Sequence, residues 1–238
     1  MNVPIFSLQE WDGHQLNCVI HGSIEGVLQK MQCRPRLTFT SPPYGVGKVM
    51  SAETPTKSHL PREFRFRYKE YDNHDDAFVP EETYEKWLQL LCEKSGLVFW
   101  NVPSKQFERS YGVDPKKAIG QIVWDKPNAI PFPKNKIIYF HEMIWVFGDK
   151  NLFTTSVKSV WTASTVQKSK HPAPFPIDLP GRAIDACTNK GDLVFDPFGG
   201  SGTTAAVAKA LGRNFITCDI SKQYCTWMKE RIEKTKIV

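Results

Sequence analysis

Leu193-Val-Phe-Asp196-Pro-Phe-Gly199-Gly200-Ser201-Gly202-Thr203, with Phe215-Ile-Thr-Cys-Asp219 a dozen residues later, is the stretch that decides the fold. Residues 193–196 are an apolar run of strand length closing on an acid, and the proline and three glycines that follow make a tight turn. An alanine-rich helix is predicted over residues 204–211, ended by Gly212, and residues 215–219 form a second strand that also ends in an acid. Strand, helix and strand in this order make a βαβ unit of a mostly parallel, doubly wound α/β sheet. In such sheets ligands bind beyond the carboxyl ends of the strands, where glycines let the backbone approach and a helix N-terminus offers N–H groups. Asp219 stands where it can accept hydrogen bonds from ribose hydroxyls. The turn is not G-x-G-x-x-G and lacks the Lys-Ser/Thr ending of a phosphate loop, so a nucleoside without a phosphate chain fits better than a dinucleotide or ATP.

Working outward, the N-terminal part has the same texture. Residues 17–21 form a short apolar run, Ile24, Val27, Leu28 and Met31 recur at helical spacing, and Leu37-Thr-Phe39 reads as a buried strand. That strand is cut off by Thr40-Ser41-Pro42-Pro43-Tyr44-Gly45. Two prolines fix two φ angles and remove two donors, leaving acceptors, the Ser41 hydroxyl and nearby carbonyls, to face a ligand. An exocyclic base amine is a poor nucleophile because its lone pair is delocalised; acceptors on its N–H groups favour the pyramidal, nucleophilic form. Tyr44 adds a ring on which an extruded base could stack.

Between these parts the composition changes. Residues 46–80 show neither period and read as a mobile loop region. Within it Arg62-Glu-Phe-Arg65-Phe66-Arg67-Tyr68-Lys69 alternates cations with aromatics, which suits a nucleic-acid backbone and equally suits an exposed strand. A helix is predicted over residues 81–95, stopped by Gly96, then strands at 97–100, 119–124 and 143–147, and a short helix at 181–187. His141-Glu142 precedes one of these strands; Trp145 stands where a zinc protease needs a second histidine, so the pair reads as an orienting pair in the core or pocket wall.

The 238 residues, 41% hydrophobic, suffice for one substantial core, so residues 1–238 are expected to form a single domain. The net charge of +6 suits a phosphate-bearing partner. The six cysteines show no CxxC spacing, which argues against zinc and for free thiols in a reducing compartment. There is no secretory leader pattern and no run long enough for a membrane span, so a cytosolic protein, or the intracellular product of a virus or mobile element, is expected. The absence of a Pro-Cys dipeptide removes the nucleophile that ring-carbon methylation of cytosine would need.

Taken together, Thr-Ser-Pro-Pro-Tyr-Gly and Asp-Pro-Phe-Gly-Gly-Ser-Gly-Thr-Thr resemble the amino-methyltransferases of DNA, which make N4-methylcytosine or N6-methyladenine. The catalytic tetrapeptide precedes the glycine-rich motif, an order similar to the permuted β class. Lys126-Pro127-Asn128, His141-Glu142, and His171-Pro172 leading to Pro174-Phe175-Pro176 are further points of likeness, over residues 21–220 or so. The resemblance implies a Rossmann-like fold dependent on S-adenosylmethionine, with a restriction-modification setting. It implies catalysis at Ser41, Pro42, Pro43 and Tyr44. It implies a cofactor pocket made by Asp196, Pro197, Phe198, Gly199, Gly200, Ser201, Gly202 and Thr203, with Asp219 on the ribose and His171 and Pro172 beside the methionine end. Serine at position 41 favours cytosine N4, with adenine N6 as the alternative and a non-catalytic DNA-binding subunit less so. One departure is that Gly22 is followed by Ser23, where the family often has an acid. The resemblance further implies that residues 46–80 are a mobile DNA-contacting, target-recognition insertion, and the partner expected is duplex DNA with its target base flipped out, with a short target or a homodimer that shares the grip.

Overall fold

The structure is a computed structural model, and it describes residues 2–44, 79–104, 109–129, 139–166 and 174–238. Strands β1 (Ile5–Ser7) and β2 (Cys18–His21) lead to helix α1 (Ile24–Lys30) and strand β3 (Leu37–Thr40). Helix α2 (Glu81–Lys94) precedes β4 (Leu97–Pro103), β5 (Gly120–Asp125), β6 (His141–Gly148) and β7 (Val160–Thr162). The chain closes with α3 (Asp178–Cys187), β8 (Leu193–Asp196), α4 (Thr203–Ala210), β9 (Asn214–Asp219) and α5 (Lys222–Lys234).

The described strands form one sheet in the order β1-β2-β9-β8-β3-β4-β6-β5-β7. Only the pairings of β6 with β4 and β5 are antiparallel; the other six are parallel, so the sheet is mostly parallel. Parallel strands need crossovers, and these put helices on both faces. Leu97 and Phe99 of β4 pack in the cluster containing Leu179, Ala183, Ala205, Met228 and Ile232, from α3, α4 and α5. Val98 and Trp100, on the other face, join Ile24, Val27, Tyr84 and Leu91 from α1 and α2. Burial on both faces is why the strand reads as a continuous apolar run instead of alternating.

Strands β3 and β8 are neighbours, with Leu37 opposite Val194 and Thr38 opposite Phe195. From β8 the chain passes through α4 to β9 on one side. From β3 it returns through α2, on the opposite face, to β4 on the other side. The carboxyl ends of β3 and β8 therefore flank a topological switch point, where such sheets open a crevice.

Several boundaries differ from expectation. The helix predicted over residues 181–187 begins earlier, at Asp178. Gly96 does not end α2 in a left-handed turn; the helix ends at Ser95, which is in extended conformation. What Gly96 supplies is room, since a β-carbon there would lie 2.8 Å from the Arg36 carbonyl oxygen. Strands β1 and β7 and helix α5 are not anticipated by the sequence pattern. All six cysteines are unpaired. Burial pushes the thiols of Cys18, Cys187 and Cys225 up to about 12, consistent with small packed hydrophobes. None of the described helices is long and apolar enough to cross a membrane.

Candidate active site

Strand β8 delivers Asp196 to the crevice almost fully buried. Its Oδ1 accepts hydrogen bonds from Thr40 Oγ1 at 2.7 Å and from the Phe198 amide at 3.2 Å. Its Oδ2 accepts none from the described residues. Burial pushes this carboxyl up to about 6, against the pull of the Thr40 hydroxyl. Because Thr40 directly precedes Ser41, the bond from Thr40 to Asp196 ties the two sequence motifs together at one rim of the sheet.

The glycine-rich turn is laced to β9. Gly199 donates to the Cys218 carbonyl at 2.9 Å, Gly200 to Asp219 Oδ2 at 3.0 Å, and Gly202 to the Gly199 carbonyl at 2.7 Å. The other Asp219 oxygen accepts from the Ser221 amide at 2.9 Å. The amides of Phe198, Gly199, Gly200 and Gly202, in the turn ahead of α4, are thus used within the protein. Gly202 caps α4 in the left-handed region, φ 73°, as glycine allows.

Phe198 lies against Trp87 of α2, ring centroids 5.0 Å apart, and edge-on to Trp100 at 6.1 Å. The Trp87 indole N–H donates to Glu25 at 2.6 Å. Ser23, where an acid was expected, instead accepts from the Gly26 amide and caps α1. Beyond Asp219, Ile220 is 62% exposed. His171 and Pro172 lie outside the described residues, as do most of the 46–80 insertion and the Arg62 to Lys69 run. Just downstream, Phe175 packs edge-on against Phe39 of β3 at 5.4 Å.

Across the crevice, Ser41 Oγ is 2.8 Å from Tyr44 Oη and 3.1 Å from the Asn101 carbonyl oxygen, with one proton to donate to either. Tyr44 Oη donates to Glu142 Oε2 at 2.9 Å. Asn101 Nδ2 reaches Glu142 Oε2 at 2.8 Å and Tyr44 Oη at 3.1 Å. Lys126 Nζ pairs with Glu142 Oε1 at 2.9 Å. The loop is braced from below: Tyr84 of α2 donates to the Pro43 carbonyl at 2.6 Å, and the Tyr111 ring meets Tyr44 edge-on at 6.2 Å. Burial drives the Tyr44 phenol well above its ordinary value, with the Glu142 charge adding to the shift, so it is a neutral donor.

The described residues of the two motifs, together with Asp219, thus lie along one rim, at the ends of β3, β8 and β9. His141-Glu142 divides: Glu142 enters the Ser41 cluster, while the His141 ring lies near Tyr139, centroids 5.9 Å apart. Asn101 and Trp87 were missed, and Lys126 stood out only through the family likeness. Asn101 is 1% exposed inside β4, and an amide directly after the apolar run 97–100 was the available signal.

Fold and site define a Rossmann-like methyltransferase of the S-adenosylmethionine-dependent class. The family profile for DNA methylases of the N6/N4 type matches residues 36–230, and the chain belongs to that family. It is 33% identical over 185 residues to the type II methyltransferase M2.DpnII of Streptococcus pneumoniae, covering 64% of this chain and 68% of that protein. It is 39% identical over 118 residues to M2.LlaDCHI of Lactococcus lactis subsp. cremoris, covering 48% of this chain but only 41% of that protein. In fold it is similar to the PvuII cytosine-N4-specific DNA methyltransferase, with a TM-score of 0.59, 18% identity, and coverage of 93% and 88% of the two chains. The M1.HpyAVI complex with S-adenosylmethionine gives 0.58 at 20% identity, with coverage of 90% and 98%.

Proposed function

We propose that this chain methylates the N4 amine of a cytosine flipped out of duplex DNA, using S-adenosylmethionine. The observation that carries the proposal is the 2.7 Å bond from Thr40 to Asp196, which sets the Ser41 acceptors beside the glycine-rich turn. Serine at position 41, a neutral acceptor, supports cytosine over adenine.

The residues fit the cofactor. Asp196 Oδ2, buried and without a partner among the described residues, suits the ammonium of the methionine end. Asp219, oriented by two backbone amides, suits the ribose hydroxyls, and the exposed Ile220 offers an apolar face for the adenine. His171 and Pro172 are assigned to the methionine end on family likeness. When bound, the sulfonium supplies the methyl group: the amine forms an N–C bond as the S–C bond breaks, leaving a neutral thioether.

Ser41 Oγ and nearby carbonyls would accept the amine protons and turn the nitrogen lone pair toward the methyl carbon, so that positioning supplies much of the rate. Flipping costs roughly a few kcal/mol, offset by stacking and by hydrogen bonds to the base edge.

DNA from cells expressing the chain, digested to nucleosides and resolved by mass, should contain N4-methylcytosine. N6-methyladenine in its place would overturn the cytosine assignment, and neither base would overturn catalysis. Ser41→Ala should cut transfer by about 100-fold or more, with cofactor affinity retained; transfer at the full rate would remove the role of that hydroxyl.

A further inference from the structure

A neutral serine hydroxyl is a weak acceptor for the proton of an amine that is becoming an ammonium. Ser41 does not act alone. Its Oγ–H donates to Tyr44 Oη at 2.8 Å, and Tyr44 in turn donates to Glu142 Oε2 at 2.9 Å. Chains of donors ending on a charge polarise one another, so each oxygen becomes a better acceptor than it would be in isolation. Glu142 is fixed from three sides: Asn101 Nδ2 from β4 at 2.8 Å, Lys126 Nζ from just past β5 at 2.9 Å, and Tyr44 from the loop after β3. The Lys126 and Glu142 side chains keep only 15% and 14% of their exposure. A largely buried ion pair is weak evidence for stability, because desolvation offsets most of its attraction. Its place at the mouth of a reaction crevice calls for another role.

We propose that Glu142 is the terminal acceptor of a hydroxyl relay, Ser41 to Tyr44 to Glu142, that removes the surplus proton from the methylated amine. The inference rests on the amino-methyltransferase function proposed above. As the amine N–H bond breaks, its proton forms a new bond to Ser41 Oγ; the Ser41 proton passes to Tyr44 Oη, and the Tyr44 proton to Glu142 Oε2. The nitrogen keeps the electron pair and becomes a neutral secondary amine. Glu142 becomes a neutral acid and later returns its proton to water. Only Ser41 touches the amine. Tyr44 in this capacity and Glu142 are positioning residues that act through it, and the accepting carboxylate lies two hydrogen bonds away from the tetrapeptide serine.

Tyr44 then has two separable functions, a ring for stacking and a hydroxyl for the relay. Tyr44→Phe keeps the first and deletes the second. Single-turnover methylation of target duplex at saturating cofactor should fall by about 100-fold in Tyr44→Phe and in Glu142→Gln, the scale of a lost proton-transfer group. KM for DNA and Kd for S-adenosylmethionine should stay within about 3-fold, and the double variant should be no worse than the poorer single by more than about 3-fold. Should Glu142→Gln lower the thermal midpoint through the mismatch with Lys126, Tyr44→Phe, which removes one oxygen, decides the matter. Tyr44→Phe within about 3-fold of wild type, or losses confined to KM, would overturn the relay. A wild-type chain that methylates with Ser41→Ala inactive but both relay variants active refutes the relay alone. A wild-type chain that methylates no amine removes both proposals.

Discussion

Asp196 is the residue with the most to lose by ionising. Its carboxyl ordinarily titrates at 3.8 and is pushed up to about 6 by burial. The folded chain therefore holds this proton more tightly than the unfolded chain, and the sign follows. The stability it contributes is present below the ordinary value and is lost as pH rises through about 6. The loss amounts to about 3 kcal/mol, since each tenfold change in proton affinity is worth about 1.4 kcal/mol. Asp196→Asn should remove that slope: thermal midpoints of the variant and wild type, without cofactor, should converge at pH 4 and favour the variant at pH 8. A cationic ligand group beside Oδ2 reverses the preference by favouring the charged form. Calorimetric affinity for S-adenosylmethionine should rise between pH 5 and pH 7 in the wild type and not in Asp196→Asn; a flat wild-type profile would remove the ammonium contact. At this scale Ser41, Pro42, Pro43, Tyr44 and the glycine turn were legible because each motif is contiguous. Asn101 and the part played by Glu142 were not, because their partners stand 41 to 98 positions away in the chain.

At the scale of elements, the turn into α4 is the most constrained piece of backbone at the rim. Gly202 has φ 73°, and a β-carbon there would meet the Met228 backbone at 3.0 Å. Gly191 has φ 88° with nothing within 4 Å. Gly191→Ala should cost only the left-handed strain, about 1–2 kcal/mol, read as a fall of about 2–8 °C in thermal midpoint for a chain of this size. Gly202→Ala should cost more and also weaken cofactor binding, since Met228 must give way; equal losses in the two variants would show that crowding by α5 is unimportant. Strands β3, β4, β8 and β9 were legible because strands buried on both faces are short runs of apolar and β-branched residues, Thr38 and Thr217 among them. β1 and β7, three residues each at the sheet edges, carry too little pattern to stand out. Helix α5 buries only Cys225, Met228 and Ile232 among many polar residues, and so narrow a stripe gives a weak helical signal.

At the scale of the molecule, the order of motifs along the chain implied that the tetrapeptide and the glycine turn share a rim, since both follow parallel strands of one sheet. What order could not supply is which strands are neighbours; the pairing of β3 with β8 supplies it. The rim carries Asp196 and Asp219, and its Lys126 is spent on Glu142, so cations that attract a polyanion are expected beyond it. The net charge of +6 says that the surplus of cations exists, and the alternating Arg62 to Lys69 run, outside the described residues, is where the sequence concentrates it. We propose a short target or a homodimer that shares the grip; a strictly monomeric, fully active protein on gel filtration would exclude the dimer. Phosphate contacts release counterions, at a slope of about −0.9 per contact in log affinity against log salt. Replacing Arg62, Arg65, Arg67 and Lys69 by alanine should flatten that slope by as much as about 3–4 and weaken DNA binding at low salt. Cofactor affinity should stay unchanged, because the cofactor is assigned to the turn after β8. An unaltered salt slope would move the phosphate-tracking surface elsewhere. A flattened slope with transfer preserved at saturating DNA would separate the residues that hold the duplex from those around Ser41 that act on the base.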